Sequence, residues 1–517
     1  MLRHRAASGA GHLFVGNTLS QIIQGIGIIL VARLLGATNY GLYTLLLVPS
    51  ATFFVFTRIG FGGAVSRYVA YYNAQGKRLE ADNMTTSSFM YVLILYTLIT
   101  VASAFAAPAY ASIILHRPTI ARLAQLASVT IFFQGVMNFT MLALNGYYRT
   151  KQVSAIMLIQ AVTKTALSVG LILIGLHIYG ALIGMIMGFV LAAVAGTFWL
   201  FKATQTRRFK FDTKTFRTVV SFGLPLYVAN IIGGVSGQIQ LVILATFASA
   251  AAVGAFTATQ NLATLIGIVT YPLSTMAGVA FSEVSAQNNT ARIVSSYVSA
   301  TRIATILIVP VSVIVALMAK PIVTVLYGSA YLKYFILLSI FAVGYLSVGL
   351  GGQTQAPLFM GLNNTRLNAY SAAISAALLL SASFGLVLRF SVFGVALATT
   401  ISTVVTVAVM HILVTKSFGV RLPRTSVAKV YLASVVSVVP LIYILQKNFH
   451  HGLIGLVELA LTLGAYIVIY STVLPLMKGV SKEDLDLISH SLKDVPIVGH
   501  ILAAITKYSK LLVHERG

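Results

Sequence analysis

Cysteine is absent from the 517 residues, and acidic residues number only 10 against 35 lysines and arginines. The first absence excludes disulfides, thiolate zinc sites and cysteine nucleophiles. Charge as a whole is scarce too: 9% of residues are charged, where a soluble domain carries roughly 25%. A soluble globule is thereby excluded. No His/Asp/Glu cluster has metal-ligand spacing, so neither a metal nor a cofactor is expected. What fills the chain instead is apolar, at 58% hydrophobic residues and a mean hydropathy of +0.91.

The net charge of +25 raises the question of nucleic acid. The basic residues are scattered one or two per loop, however, which is the pattern of a polytopic membrane protein and not of a nucleic-acid face. The first twelve residues are basic, but the apolar run from Leu13 to Leu35 is too long for a signal peptide and reads as a first spanning helix.

Stretches of about 20 apolar residues, enough to cross a bilayer, can be placed fourteen times. They fall near 13–35, 40–62, 84–107, 122–146, 153–176, 179–201, 219–247, 253–275, 299–319, 333–360, 367–389, 392–415, 427–446 and 452–475. No alternating strand pattern occurs in them, which argues against a barrel. The tail beyond 476 carries Lys478, Lys482, Glu483, Asp484 and Asp486 and reads as a solvated or interfacial helix. With the N-terminus placed inside, 26 of the 35 basic residues face the cytoplasm and 7 the other side. Both ends are therefore expected to be cytoplasmic.

The chain also repeats itself. Asn17, Gly41 and Tyr43 recur as Asn230, Gly254 and Phe256, each 213 residues on. Asn145-Gly146 corresponds to Met360-Gly361, and Tyr179-Gly180-Ala181 to Phe393-Gly394-Val395, at offsets of 215 and 214. Spans 1–6 and 7–12 thus read as two copies of a six-helix unit. An even number of spans keeps its orientation on duplication, so the repeats are parallel, and two such bundles enclose a central cavity that can rock open to either side. The predicted fold is an all-α polytopic membrane protein of about 14 helices: an N-terminal bundle (1–205), a second bundle (206–425), two additional spans (426–475) and a tail (476–517). The basic stretch from Lys202 to Arg217 separates the bundles and reads as a solvated inside loop near anionic headgroups.

The segments VARLLGATNYGLYTLLL (31–47) and RIGFGGAVSRYVA (58–70), with SFGLPLYVANIIGG (221–234) and KPIVTVLYGSAY (320–331), resemble the polysaccharide transporter branch of the multidrug/oligosaccharidyl-lipid/polysaccharide exporter superfamily. That branch includes O-antigen and lipid-linked oligosaccharide flippases. The resemblance covers essentially the whole chain. It implies a V-shaped transporter, without enzymatic activity, that moves a glycan on a polyprenyl or dolichyl (pyro)phosphate from the cytoplasmic to the outer leaflet by alternating access. Membrane lipids and glycan-assembly enzymes are its implied partners. One departure stands out: an acidic residue often follows the FGLP segment in the family, whereas Gln238 and Gln240 occupy that region here.

A charge in hydrocarbon costs at least ~2.5–3.5 kcal/mol on insertion scales and is usually kept for a purpose. Arg33, Arg58, Lys164 and Arg302 fall inside or at the ends of apolar segments. Arg offers planar bidentate donors to phosphate and Lys a point charge, so both suit a pyrophosphate in a wet cavity. Asn17, Gln21 and Gln24 lie on one face of span 1, and Asn230 and Gln238 are similarly placed in span 7. Such stripes either bind sugar hydroxyls or join helices through hydrogen bonds. Glu458 reads as the one carboxylate deep in a span, a satisfied polar group or a candidate for proton coupling. Pro225 and Pro272 are the hinge candidates, because proline removes a backbone donor and permits a kink.

Three functions compete at this level. For a glycan-lipid flippase, an inside-negative potential favours export of an anion by ~2.3 kcal/mol per charge per 100 mV, so acids are not required. A cation-coupled drug exporter would want buried carboxylates and aromatic cages. A membrane glycosyltransferase or polymerase needs large loops with catalytic acids or bases, and the outer loops here are short.

Overall fold

The structure is a computed structural model that describes residues 2–57, 61–204, 212–270, 289–362, 364–445, 449–450, 452–492 and 498–512, together with 274, 277, 278 and 281. Among these residues there is no strand. The chain divides into two compact units, Met1–Gly254 and Ala255–Gly517.

Unit 1 is built from α1 (Leu2–Val55), α2 (Phe61–Ala74), α3 (Arg78–Ala109), α4 (Ala121–Ala127), α5 (Val129–Gly146), α6 (Thr150–Leu171), α7 (His177–Ala203) and α8 (Thr213–Phe247), and α9 (Ala250–Thr264) begins at its end. Unit 2 continues with α10 (Thr290–Leu317), α11 (Ala319–Tyr327), α12 (Ile336–Tyr345), α13 (Gln355–Gly361), α14 (Thr365–Phe418), α15 (Arg424–Val436), α16 (Ile442–Leu445), α17 (Leu453–Leu476), α18 (Lys482–Leu492) and α19 (Val498–Leu512).

Among the described residues, eight helical runs are long and apolar enough to cross a membrane. Three of them, Val15–Val55, Thr150–Ala203 and Arg366–Phe418, are about twice the ~20 residues a crossing needs. Each is interrupted by non-helical backbone: at Gly36 (φ 70°, ψ 168°), at Gly175 and His177 (φ 92° and 41°), and at Ser391 (φ 50°, ψ −131°). The length of each run and the place of its break match a pair of the spans that the hydropathy pattern predicts. The tenth expected span, 333–360, is not a continuous helix. It breaks after a 3₁₀ turn at Leu346–Leu350, where Gly351 takes φ 92°, and α13 leaves at a bend of 47°.

Small residues set the packing, as expected where lipid supplies no hydrophobic drive between helices. In unit 1, α6 and α7 run antiparallel with Gly180, Gly184 and Gly188 of α7 set against Leu171, Ser168 and Lys164 of α6. A Cβ at Gly184 would sit 2.3 Å from the Ser168 amide nitrogen, so only glycine permits this approach. On its other side α6 runs parallel to α1, with Gly16 meeting Ser154 and Gly27 meeting Thr165. The unit 1 core gathers Phe89, Phe139, Leu144, Ile156 and Phe189, and Trp199 of α7 packs half-buried against it.

In unit 2, Phe281, Tyr297, Phe359 and Met410 form a core, closed by polar stitches. Thr301 and Thr354 hydroxyls lie 2.7 Å apart, and the Gln355 amide donates to the carbonyls of Val407 and Leu350. Described parts of the tail pack on this unit: Ser509 donates to the Ser471 carbonyl, Thr472 and Tyr508 hydroxyls pair, and Lys510 contacts Asp486.

Candidate functional site

The polar groups expected from sequence converge in part. On α1 the Gln21 amide donates to the Asn17 side chain at 3.2 Å, and Gln24 lies half-buried one turn further on. Thr165 of α6 contacts Gly27 and reaches the Ile23 carbonyl at 3.4 Å, which places α6 against α1 at the level of Gln24. Lys164 is the neighbouring residue. It is half-buried, its Cα and Cβ lie against Gly188 of α7, and no ion pair or hydrogen bond to it occurs among the described residues. The α6–α7 seam thus holds a lysine without a carboxylate partner among the described residues, and α1, packed on the same helix α6, carries three amide side chains. Such a site attracts an anion that brings hydrogen-bonding groups with it.

The other expected residues are placed as follows. Arg33 is exposed on α1. Arg58 and Pro272 lie outside the described residues, as do the side chains of Asn230 and Pro225, although α8 runs through both of the latter positions. Gln238 of α8 is half-buried, and its side-chain oxygen is buried without a hydrogen-bond partner among the described residues.

Two expectations need correction. Arg302 of α10 makes an ion pair of 2.8 Å with Asp484 at the start of α18, the two side chains being 25% and 9% exposed. Asp484 is itself held in a reciprocal cap: it accepts from the Ser481 amide and hydroxyl at 2.8 and 2.7 Å, and its own amide donates to Ser481 at 3.2 Å. The arginine therefore serves the tail, and a neutralised guanidinium is poorly suited to hold a substrate anion. Glu458, expected deep in a span, lies in the second turn of α17 with its side chain 36% exposed. It accepts from the His450 backbone amide at 2.9 Å and contacts the His450 ring at 2.7 Å. The predicted span, 452–475, starts within one residue of the helix; what the sequence did not show is the contact with His450, eight residues before Glu458 and outside the apolar run.

Sequence reasoning also missed a buried acid. Asp82 is 1% exposed in the first turns of α3. It accepts from Tyr147 Oη at 2.8 Å and lies 3.6 Å from Arg78 Nε. The Arg78 guanidinium stacks over the Tyr147 ring at 4.6 Å, bonds Asn73, and donates to the Ala203 carbonyl at the end of α7. This clamp ties α3, α5 and α7 together at one end of unit 1. Its one sequence signal was the i, i+4 spacing of Arg78 and Asp82.

Long apolar helices, glycine seams and a half-buried lysine without an acidic partner among the described residues are those of a multi-pass membrane protein. Residues 6–281 match the family of polysaccharide biosynthesis proteins, and the chain belongs to that family. The polysaccharide-transporter resemblance read from the sequence therefore holds. Stage V sporulation protein B of Bacillus subtilis (strain 168) is 25% identical over 97% of this chain and 100% of its own length. In fold the chain is similar to a lipid II flippase, MurJ, in an inward closed conformation, with a TM-score of 0.71, 17% identity, and coverage of 89% of this chain and 98% of the other. An inward-facing multidrug resistance transporter of the MATE family is similar at a TM-score of 0.66 and 15% identity, over 80% and 98% of the two chains.

Proposed function

We propose that this protein is a flippase that carries a glycan on a polyprenyl or dolichyl (pyro)phosphate from the cytoplasmic to the outer leaflet. The reading rests on Lys164, a cation set in an apolar helix with no acidic partner among the described residues. A lysine of this kind costs free energy until an anion joins it, and a phosphate-bearing headgroup is such an anion. Asn17, Gln21 and Gln24 supply neutral hydrogen bonds for the first sugar, and Arg33 and Arg58 are the further candidates read from the sequence for the phosphates. Alternating access carries the headgroup across, and the membrane potential assists its outward movement. The positive-inside bias supports a cell-membrane protein with both ends in the cytoplasm.

The test is a leaflet-accessibility assay in proteoliposomes with a fluorescent polyprenyl-pyrophosphate glycan. Lys164→Ala is expected to lower translocation at least tenfold, with Lys164→Arg restoring much of it. Undiminished translocation and lipid binding in Lys164→Ala would remove the assigned anion site. Robust export of an organic cation instead would replace the flippase reading with that of a drug exporter.

A further inference from the structure

Unit 2 contains a cavity of about 260 Å³ among α9, α12, the 346–353 segment and α14. Its lining contains no acid, no base and no histidine, so it offers nothing to a charged ligand. It is nevertheless polar in a particular sense. The hydroxyls of Thr264, Ser347 and Thr403 each donate to a carbonyl of their own helical segment, at 2.6, 2.8 and 2.9 Å. Thr400 donates to the Ile340 carbonyl at 2.8 Å. A hydroxyl has one hydrogen and two lone pairs, so each of these groups has used its donor and turns to the cavity as an acceptor. The side-chain amides of Gln260 and Gln353 and the phenol of Tyr345 also line the space, and none has a hydrogen-bond partner among the described residues.

We infer that this cavity is a sugar subsite, taking one uncharged, hydroxyl- and amide-bearing pyranose ring of the transported glycan. The inference rests on the flippase reading and deepens it. An array of acceptors selects a ligand rich in O–H donors. The two glutamines, each both donor and acceptor, match a ring hydroxyl or an acetamido group. Phe341 and Tyr345 supply the apolar faces on which the C–H side of a sugar ring rests. The volume lies below the roughly 300–1,000 Å³ of drug-sized sites, on the scale of one ring and not of a chain. This neutral cavity thus recognises hydroxyls and not charge.

The experiment uses the full chain in lipid nanodiscs and a diazirine-bearing N-acetylglucosamine at millimolar concentration, with labelled peptides mapped by mass spectrometry. Labelling is expected in the segments that carry Gln260, Gln353 and Thr403, displaced by free N-acetylglucosamine and not by inorganic pyrophosphate. Gln260→Leu combined with Gln353→Leu is expected to reduce it at least tenfold, and Thr403→Val about threefold. Gly344→Leu fills the cavity, since a Cβ there meets Thr400 only at an ordinary 3.7 Å, and is expected to abolish labelling in a protein that still elutes as a single species. Labelling that free sugar does not displace, that survives the double variant, or that pyrophosphate displaces equally well overturns the inference. Loss of translocation in Lys164→Ala with no photolabelling of unit 2 rejects this subsite alone. Photolabelling as expected, with translocation indifferent to Lys164→Ala, rejects the phosphate site and leaves this one standing.

Discussion

His177 and Ser391, 214 residues apart, adopt the same left-sided backbone conformation, with φ, ψ of 41°, −123° and 50°, −131°. Each sits where one helix turns back into the next, and each is followed three residues later by a glycine, Gly180 or Gly394, pressed against the preceding helix. The reversals at Arg149 and Asn364 match as well: each amide donates to the carbonyl five residues earlier, Leu144 or Phe359, at 2.9 and 2.8 Å. The duplication is thus written into backbone geometry as well as into side chains.

Neither His177 nor Ser391 is a residue type at ease there, and strain of this kind costs about 1–3 kcal/mol per residue. His177→Gly and Ser391→Gly are each expected to raise the apparent melting temperature of the purified protein by a few degrees. A fall at either position, read by thermal unfolding in detergent, would show that the side chain contributes more than the strain removes.

The α6–α7 seam makes the opposite forecast. Gly184→Ala places a methyl 2.3 Å from the Ser168 amide nitrogen, a backbone atom that cannot step aside alone. Overpacking of this sort costs about 1–3 kcal/mol. Because Lys164 lies one turn from Ser168 on the same face of α6, the variant is also expected to weaken pyrophosphate-lipid binding. Gly170, with open space around it, is the control: Gly170→Ala should leave both stability and binding unchanged or slightly improved.

The ion pair between Arg302 and Asp484 predicts a phenotype in the tail. Removing one partner of a largely buried pair costs more than the pair contributes, here about 1–3 kcal/mol after allowance for partial exposure of the arginine. Arg302→Ala and Asp484→Ala are each expected to speed hydrogen exchange in α18 and α19. The double variant should be no worse than the poorer single one. Strictly additive effects would mean that the two groups act independently.

Asp82→Asn and Tyr147→Phe test the clamp on α3, α5 and α7. Asp82 gains a phenol hydrogen bond and a neighbouring guanidinium in the folded protein, so either substitution strands buried polar atoms at about 1–3 kcal/mol. The expected readout is a lower melting temperature with substrate-lipid binding per folded molecule unchanged. A selective loss of binding would move this cluster into the transport machinery.

Much of this was legible in the chain. Spans, repeats and the isolation of Lys164 follow from hydropathy, from glycine and asparagine offsets, and from the scarcity of acids. Pairing was not legible. Asp484 and Arg302 are 182 positions apart, and no periodicity links a tail helix to a span. Glu458 looked deep although it is only the sixth residue of its helix, and its contact with His450, which precedes the apolar run, has no periodic signal. The neutral cavity was invisible for a related reason: threonine and serine scattered through apolar helices read as ordinary packing until the structure shows several facing one space.

Trp199 is the chain's one tryptophan, and it sits in α7 four residues before the carbonyl that receives Arg78. Intrinsic indole emission from this molecule therefore comes from unit 1 alone, and its 24 tyrosines emit at shorter wavelength. A shift of the indole band on adding a lipid or a salt is a local optical signal from the end of the lysine-bearing bundle, whereas unit 2 contributes no indole signal until a tryptophan is introduced there.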